Sequence, residues 1–233
     1  MPSSTWRALG NSYVVVERAE VGPLEPGDAS ALARDTDGVL EVIAATHDHV
    51  EIVVWNPDGS QAELSGNGTR IAAAWLAART GARADEVAFG RRTVVTRILD
   101  DGVIEQDLGE VEVSEPEVID GLTVTRVSVG NPHAVVVGNP DSILAVGPRL
   151  ETHARFPNRT NVQVVRVEAP GEVTARVWER GVGETASSGT SAVAVAAATH
   201  GEGDVLVHFP GGDLRVRLRG GRALLLGSAE RVA

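Results

Sequence analysis

Short runs rich in valine and leucine, many alternating apolar with polar positions, recur along the whole chain. Such runs bounded by Gly, Asn, Asp or Pro read as β-strands, because successive side chains of a strand face opposite sides of its sheet. In the first half the pattern predicts strands at residues 13–17, 39–43, 50–55, 93–99, 103–108 and 111–113. In the second half it predicts them at 122–129, 134–137, 162–167, 174–178, 205–209, 214–218 and 224–226. Helical patterns are few: a short one at 27–34, another at 142–150, and two alanine-rich segments at 71–79 and 192–199. The last two carry Ile, Val, Leu or Trp on nearly every side, so each is expected to be buried against a sheet.

Both halves run in the same order: strands, a glycine turn, a helix, more strands. This predicts an internal duplication with domains at 1–115 and 116–233, the last strand being free to return to the first domain. At each helix mouth stands a serine followed by glycine: Ser65-Gly66-Asn67-Gly68-Thr69-Arg70 and Ser188-Gly189-Thr190-Ser191. A helix mouth offers unpaired N–H groups and the positive end of the macrodipole, and so holds a carboxylate. One mouth in each half suits removal of a proton from one face of a carbon and its return to the other.

Composition narrows the chemistry. The 233 residues are 42% hydrophobic and 23% charged, as in an ordinary globular protein, and the net charge of −11 argues against nucleic acid as a partner. No apolar run approaches the roughly 20 residues of a membrane span and no signal-peptide pattern opens the chain, so no membrane partner and a cytoplasmic location are expected. Cysteine is absent, which removes disulfides, thiolate metal sites and thiol nucleophiles. Lysine is absent too, which excludes a pyridoxal phosphate Schiff base. The pair His47 and His49 falls in a predicted loop with only Asp48 nearby, and no metal is expected.

Three further segments carry chemistry. Asn56-Pro57-Asp58-Gly59-Ser60 leads from a strand toward Ser65, and Gly130-Asn131-Pro132-His133 follows another strand. A cis Asn131–Pro132 bond would fix a sharp turn presenting Asn131 and His133. Glu179-Arg180-Gly181-Val182-Gly183-Glu184-Thr185 joins an acid, a base and close-approach glycines just before the second serine.

Together with Leu9-Gly10-Asn11 and Arg155-Phe156-Pro157-Asn158-Arg159-Thr160-Asn161, these segments resemble the diaminopimelate epimerase family, in the family's order and over nearly the whole chain. The resemblance implies an α+β fold of two pseudo-symmetric domains, each a mixed, mostly antiparallel sheet rolled around a central helix, with the active site in the cleft between them. It implies cofactor-free interconversion of LL- and meso-diaminopimelate, a small amino-acid substrate, in a homodimer serving lysine biosynthesis. It places Asn11, Asn56, Asn131, Asn161, Glu179 and Arg180 around the substrate, with Arg180 and the asparagines at its distal end. Gly66, Asn67, Gly189 and Thr190 would supply N–H donors to the reacting carboxylate, and His133 would support the reacting centre.

The family's two catalytic positions are cysteines; here they are Ser65 and Ser188. A hydroxyl lies ~5 pKa units above a thiol, which adds roughly 7 kcal/mol to forming the base. Uncompensated, that is a loss of about 10⁵-fold in rate. The expected compensation is activation by a neighbour such as Glu184 or His133. Two alternatives stay open: a weakened or inactive serine variant that binds an amino acid, and another isomerase or racemase on the same fold.

Overall fold

The computed structural model describes residues 3–62 and 65–232. The chain divides into two compact units, one formed by residues 1–107 and 227–233, the other by 108–226. The first unit begins with β1 (Ser4–Ala8) and β2 (Asn11–Glu17), then α1 (Arg18–Val21), α2 (Pro26–Leu32), β3 (Val39–Ala45) and β4 (His49–Trp55). It continues through α3 (Gly66–Thr80), β5 (Ala84–Phe89), β6 (Arg92–Ile98) and β7 (Ile104–Glu110), along which the unit boundary falls. The second unit holds β8 (Glu112–Val113), β9 (Glu117–Ile119), β10 (Leu122–Ser128), β11 (Pro132–Val137), α4 (Ile143–Glu151), β12 (Asn161–Ala169) and β13 (Glu172–Glu179). After it come β14 (Gly183–Thr185), α5 (Gly189–Thr199), β15 (Gly203–Phe209), β16 (Gly212–Arg219) and β17 (Arg222–Gly227). Finally β18 (Glu230–Arg231) pairs antiparallel with β1.

The pairing pattern occurs twice. In the first unit β1/β2, β3/β4, β5/β6 and β6/β7 are antiparallel, while β2/β3 and β4/β5 are parallel. In the second, β10/β11, β12/β13, β15/β16 and β16/β17 are antiparallel, while β11/β12 and β13/β15 are parallel. Parallel neighbours need a crossover, and helices supply each one. α1 and α2 join β2 to β3, α3 joins β4 to β5, α4 joins β11 to β12, and α5 joins β13 and β14 to β15. Even the register shifts correspond, at Val42/Ala44 between β3 and β4 and at Val167/Ala169 between β12 and β13.

Neither central helix confines its apolar residues to one face, and both are buried over most of their length. In the first unit Ile71, Ala72, Trp75 and Leu76 of α3 pack with Trp6, Val15, Leu40, Ile52 and Phe89. In the second, Ala192 through Ala196 of α5 are fully buried, and α4 closes a further core with Val124, Val136, Phe156 and Val164. Among the described residues no helix is long and apolar enough to cross a membrane.

The central helices start earlier than periodicity indicates, at Gly66 and Gly189, because glycine and small polar residues in a first turn carry no apolar signal. β5 escapes the strand pattern because Asp85 occupies an inward position beside Val87 and Phe89. The Asn131–Pro132 bond is not cis; no described peptide bond is. Gly130, at φ +82°, makes the bend instead, so Pro132 can begin β11 opposite Ser128.

Asp85 generates a stability prediction. It is 4% exposed, neither carboxyl oxygen has a hydrogen-bond partner, and burial raises its pKa from 3.8 to about 6. The folded state therefore holds the proton more tightly than the unfolded chain. That stability is fully present below pH ~4 and is lost as pH rises through about 6. Asp85→Asn should raise the thermal midpoint at pH 7.5 by a few degrees and leave it nearly unchanged at pH 4, as measured by calorimetry. Equal shifts at both pH values would contradict the account.

Candidate active site

At the mouth of α3 the backbone of Ser65 is extended and its Oγ accepts the N–H of Gly68 at 2.9 Å. This is a serine N-cap, satisfying one of the helix's orphan donors. Glycine is required at position 68: a Cβ there would lie 2.8 Å from Val54 Cγ2 and 3.0 Å from Ser65 Oγ. Behind the mouth lies Arg70, fully buried. Its guanidinium donates to Asn67 Oδ1 and, at 3.1 Å, to Gln106 Oε1. Gln106 in turn donates to the Gly66 carbonyl at 3.1 Å and to Thr69 Oγ1. Burial lowers the Arg70 pKa to about 10, so it stays cationic at neutral pH. With its carbonyl oxygen held by Arg70, Asn67 has its amide N–H₂ to offer a ligand.

Two other residues suggested by the sequence lie on turns of this unit. Asn11 opens β2 after a two-residue turn in which Leu9 and Gly10 both have positive φ, the type I′ pattern of a tight hairpin. Asn56 follows β4 and donates to Ser60 Oγ at 2.9 Å, two residues beyond the valine that Gly68 approaches.

The mouth of α5 is built differently. Ser188 has the same extended backbone but makes no capping bond. Its hydroxyl hydrogen-bonds the carboxyl of Glu179, which also accepts from Thr185 Oγ1 at 2.6 Å. Burial pushes the Glu179 carboxyl above the usual carboxylate range, and the two hydroxyls pull it back in part. A carboxyl so tuned, bonded to a hydroxyl at a helix mouth, has the arrangement of a general base with its alcohol.

The other residues expected in this half are joined to that site. Arg180 N–H donates to Asn161 Oδ1 at 3.0 Å, and Asn161 Nδ2 donates to the Pro132 carbonyl at 2.9 Å. His133 is buried between Asn131 Oδ1, 3.0 Å from Nε2, and Gln163 Nε2, 3.0 Å from Nδ1. Burial drives its pKa to about 3, with Gln163 opposing and the Arg180 charge adding to the fall, so the ring is neutral. Gln163 as donor makes Nδ1 the acceptor and leaves Nε2–H for Asn131. Asn131 Nδ2 then reaches Thr190 Oγ1 at 3.3 Å, in the first turn of α5. Gly189 opens that helix and is buried with Thr190.

The expected activators are corrected by this geometry. Glu184 is held by Arg176 at 2.6 Å, and both ring nitrogens of His133 are engaged. Glu179 is the acid on Ser188. The structure also assigns places in these networks to Arg70 and Thr185, which the motifs contain without a stated role, and to Gln106 and Gln163, which lie outside every motif. A glutamine inside an apolar strand pattern, as at 106 and 163, was the available signal for two of them. Among the described residues no three His, Asp or Glu side chains converge as a metal site requires.

Comparison with known proteins adds to this geometry. The family model described as diaminopimelate epimerase matches residues 125–232. The diaminopimelate epimerase of Desulforudis audaxviator is 35% identical, the alignment covering 97% of this chain and 91% of the relative. That of Pelotomaculum thermopropionicum is 32% identical, over 96% of this chain and 94% of the relative. Among solved structures, a predicted epimerase from Pseudomonas aeruginosa superposes with a TM-score of 0.76 at 16% identity, covering 99% of this chain and 96% of that one. This last likeness bears on the fold alone.

The two serines should respond differently to truncation. Ser65→Ala removes an N-cap and should lower unfolding free energy by about 1 kcal/mol in a urea titration. Ser188→Ala removes no cap but takes a donor from the Glu179 carboxyl, so its cost should grow with pH while that of Ser65→Ala stays constant. Equal, pH-independent losses would mean that the two hydroxyls do the same structural job.

Proposed function

The chain belongs to the diaminopimelate epimerase family, and on that premise we propose that it interconverts LL- and meso-diaminopimelate without a cofactor, by a two-base proton relay through Ser188 and Ser65. The observation that carries the reading is the Ser188–Glu179 hydrogen bond at a helix mouth, with burial raising the proton affinity of the Glu179 carboxyl. As Glu179 takes the hydroxyl proton of Ser188, the Ser188 oxygen takes the α-proton of the substrate. Ser65 Oγ already accepts from Gly68, so its own O–H is left to donate to the opposite face of the carbanion. The alkoxide left on Ser65 is stabilised by that N–H and by the positive end of α3. The proton balance closes when one proton returns from Glu179 to Ser65 through solvent. The reverse reaction uses the same groups in exchanged roles.

Gly66, Asn67, Gly189 and Thr190 supply the N–H donors for the reacting carboxylate, where negative charge grows as the proton leaves. Asn11, Asn56, Asn131, Asn161 and Arg180 bind the distal amino-acid end, with Arg180 able to grip a carboxylate in bidentate fashion. Glu179 lessens the handicap of serine on one side, since Ser188 never has to exist as a free alkoxide. Among the described residues Ser65 has a cap and no acid or base bonded to it, and this favours a second reading in which the protein binds the amino acid with little turnover.

Incubation with LL-diaminopimelate in D₂O, followed by NMR, tests the proposal. The expected result is deuterium at the α-carbon together with the meso isomer, slowed at least ~100-fold in Glu179→Gln. The rate should fall at acid pH as Glu179 becomes protonated, and the double variant Ser65→Cys, Ser188→Cys should exchange faster than the parent. No exchange with saturable binding by calorimetry would favour the second reading. Neither exchange nor binding would remove diaminopimelate as the substrate.

A further inference from the structure

Glu151, in the last turn of α4, is a buried carboxylate outside the set of residues considered above; its side chain is 6% exposed. Three donors converge on it. Trp178 Nε1 donates to Oε2 at 2.7 Å, the backbone N–H of Gly181 donates to Oε1 at 2.6 Å, and the Arg159 guanidinium also donates to Oε1. The first two donors flank Glu179 and Arg180 in the chain, one residue before and one after. One turn earlier in α4, Gly147 lies so close to Trp178 that a Cβ would stand 2.6 Å from the Cβ and Cγ of that side chain. The helix thus presses on the indole at Gly147 and takes its N–H at Glu151.

The turn itself gives these bonds their leverage. It reverses between β13 and β14 with Gly181 at φ +79° and a Val182 N–H to Glu179 carbonyl bond of 3.0 Å. It is tethered as well through the Arg180 N–H to Asn161 bond. Charge-assisted hydrogen bonds to a carboxylate are roughly twice as strong as neutral ones, and burial shields these from water. We infer that Glu151 is a positioning residue: by clamping Trp178 and Gly181 it holds Glu179 against Ser188 and sets the direction of Arg180. The clamp is a property of the second unit alone; its effect on catalysis rests on the proposed epimerase reading.

The closing experiment separates the two. Glu151→Gln keeps the shape and one acceptor, but turns its second acceptor into a donor facing another donor, either the Trp178 N–H or the pair at Gly181 and Arg159. In the substrate-free protein, amide hydrogen exchange at Gly181 should accelerate at least ~10-fold while the amides of α5 keep their protection. In D₂O the rate of α-proton exchange per folded molecule should fall by roughly 10- to 100-fold, the scale of a small misplacement of a catalytic group. Water reaching the loosened Glu179 would relieve its desolvation, so the acid limb of the rate profile should move to lower pH.

An unchanged Gly181 amide, or protection lost across the whole unit, would overturn the clamp. Release of Gly181 with rate and pH profile unmoved would overturn the positioning role. If the parent protein shows no α-proton exchange, the epimerase reading fails, and the Gly181 amide still decides whether the clamp exists.

Discussion

A helix that begins inside a protein carries N–H groups with no partner in the helix, and burial denies them water. Both central helices here begin that way: Gly66, Asn67 and Gly68 of α3 and Gly189, Thr190 and Ser191 of α5 are all buried. The surrounding structure has to answer those donors. α3 answers one with Ser65. α5 has no side-chain cap, because the hydroxyl that could provide one is committed to Glu179. An uncapped buried helix mouth is a better receptor for an anion than a capped one, since fewer of its donors are engaged beforehand.

The charges behind the two mouths differ accordingly. α3 is backed by Arg70, a buried cation held by the neutral amides of Asn67 and Gln106. α5 is backed by His133, which burial keeps neutral, with the acid Glu179 at the mouth itself. In each unit a glutamine ties strand to helix: Gln106 reaches Gly66 and Thr69, while Gln163 reaches Ser191 and His133. Glutamine suits the task because its amide donates twice without adding charge to a dry interior, and at Gln106 the oxygen also accepts from Arg70. The same pairing topology thus carries two electrostatic environments, a cationic one and an acidic one.

Much of this was legible from the chain. Alternation located most strands, and the serine–glycine pairs marked both helix mouths, because these features depend on residues adjacent in sequence. The rest depends on contacts between distant residues. β5 was hidden because an inward Asp85 breaks the apolar pattern. Glu151 looked like any helix-end acid, since its partners Trp178 and Gly181 lie 27 and 30 residues further on. The choice of Glu179 over Glu184 as the acid on Ser188 rests on strand direction. Along β13 and β14, Glu184 pairs with Trp178 in register, where Arg176 claims its carboxylate, leaving Glu179 to Thr185 and Ser188.

Exchanging thiols for hydroxyls changes more than the height of one barrier. A thiol and its thiolate differ modestly in free energy near neutral pH, so two cysteines can trade the roles of acid and base with little help. A hydroxyl cannot, and under the proposed relay each serine needs its own remedy. Ser188 receives a proton acceptor with a raised pKa, which spreads the charge of the base onto a carboxylate. Among the described residues, Ser65 receives a backbone N–H and a helix dipole, which steady an alkoxide but do not lower its cost to that of a thiolate. The relay is therefore lopsided: each turnover ends with a proton on Glu179 and a deficit at Ser65. Returning that proton through solvent becomes part of the cycle, and the strongly basic Ser65 oxygen makes its own reprotonation downhill. Under the proposed relay the difficult step is therefore generating charge at Ser65, and not discharging it.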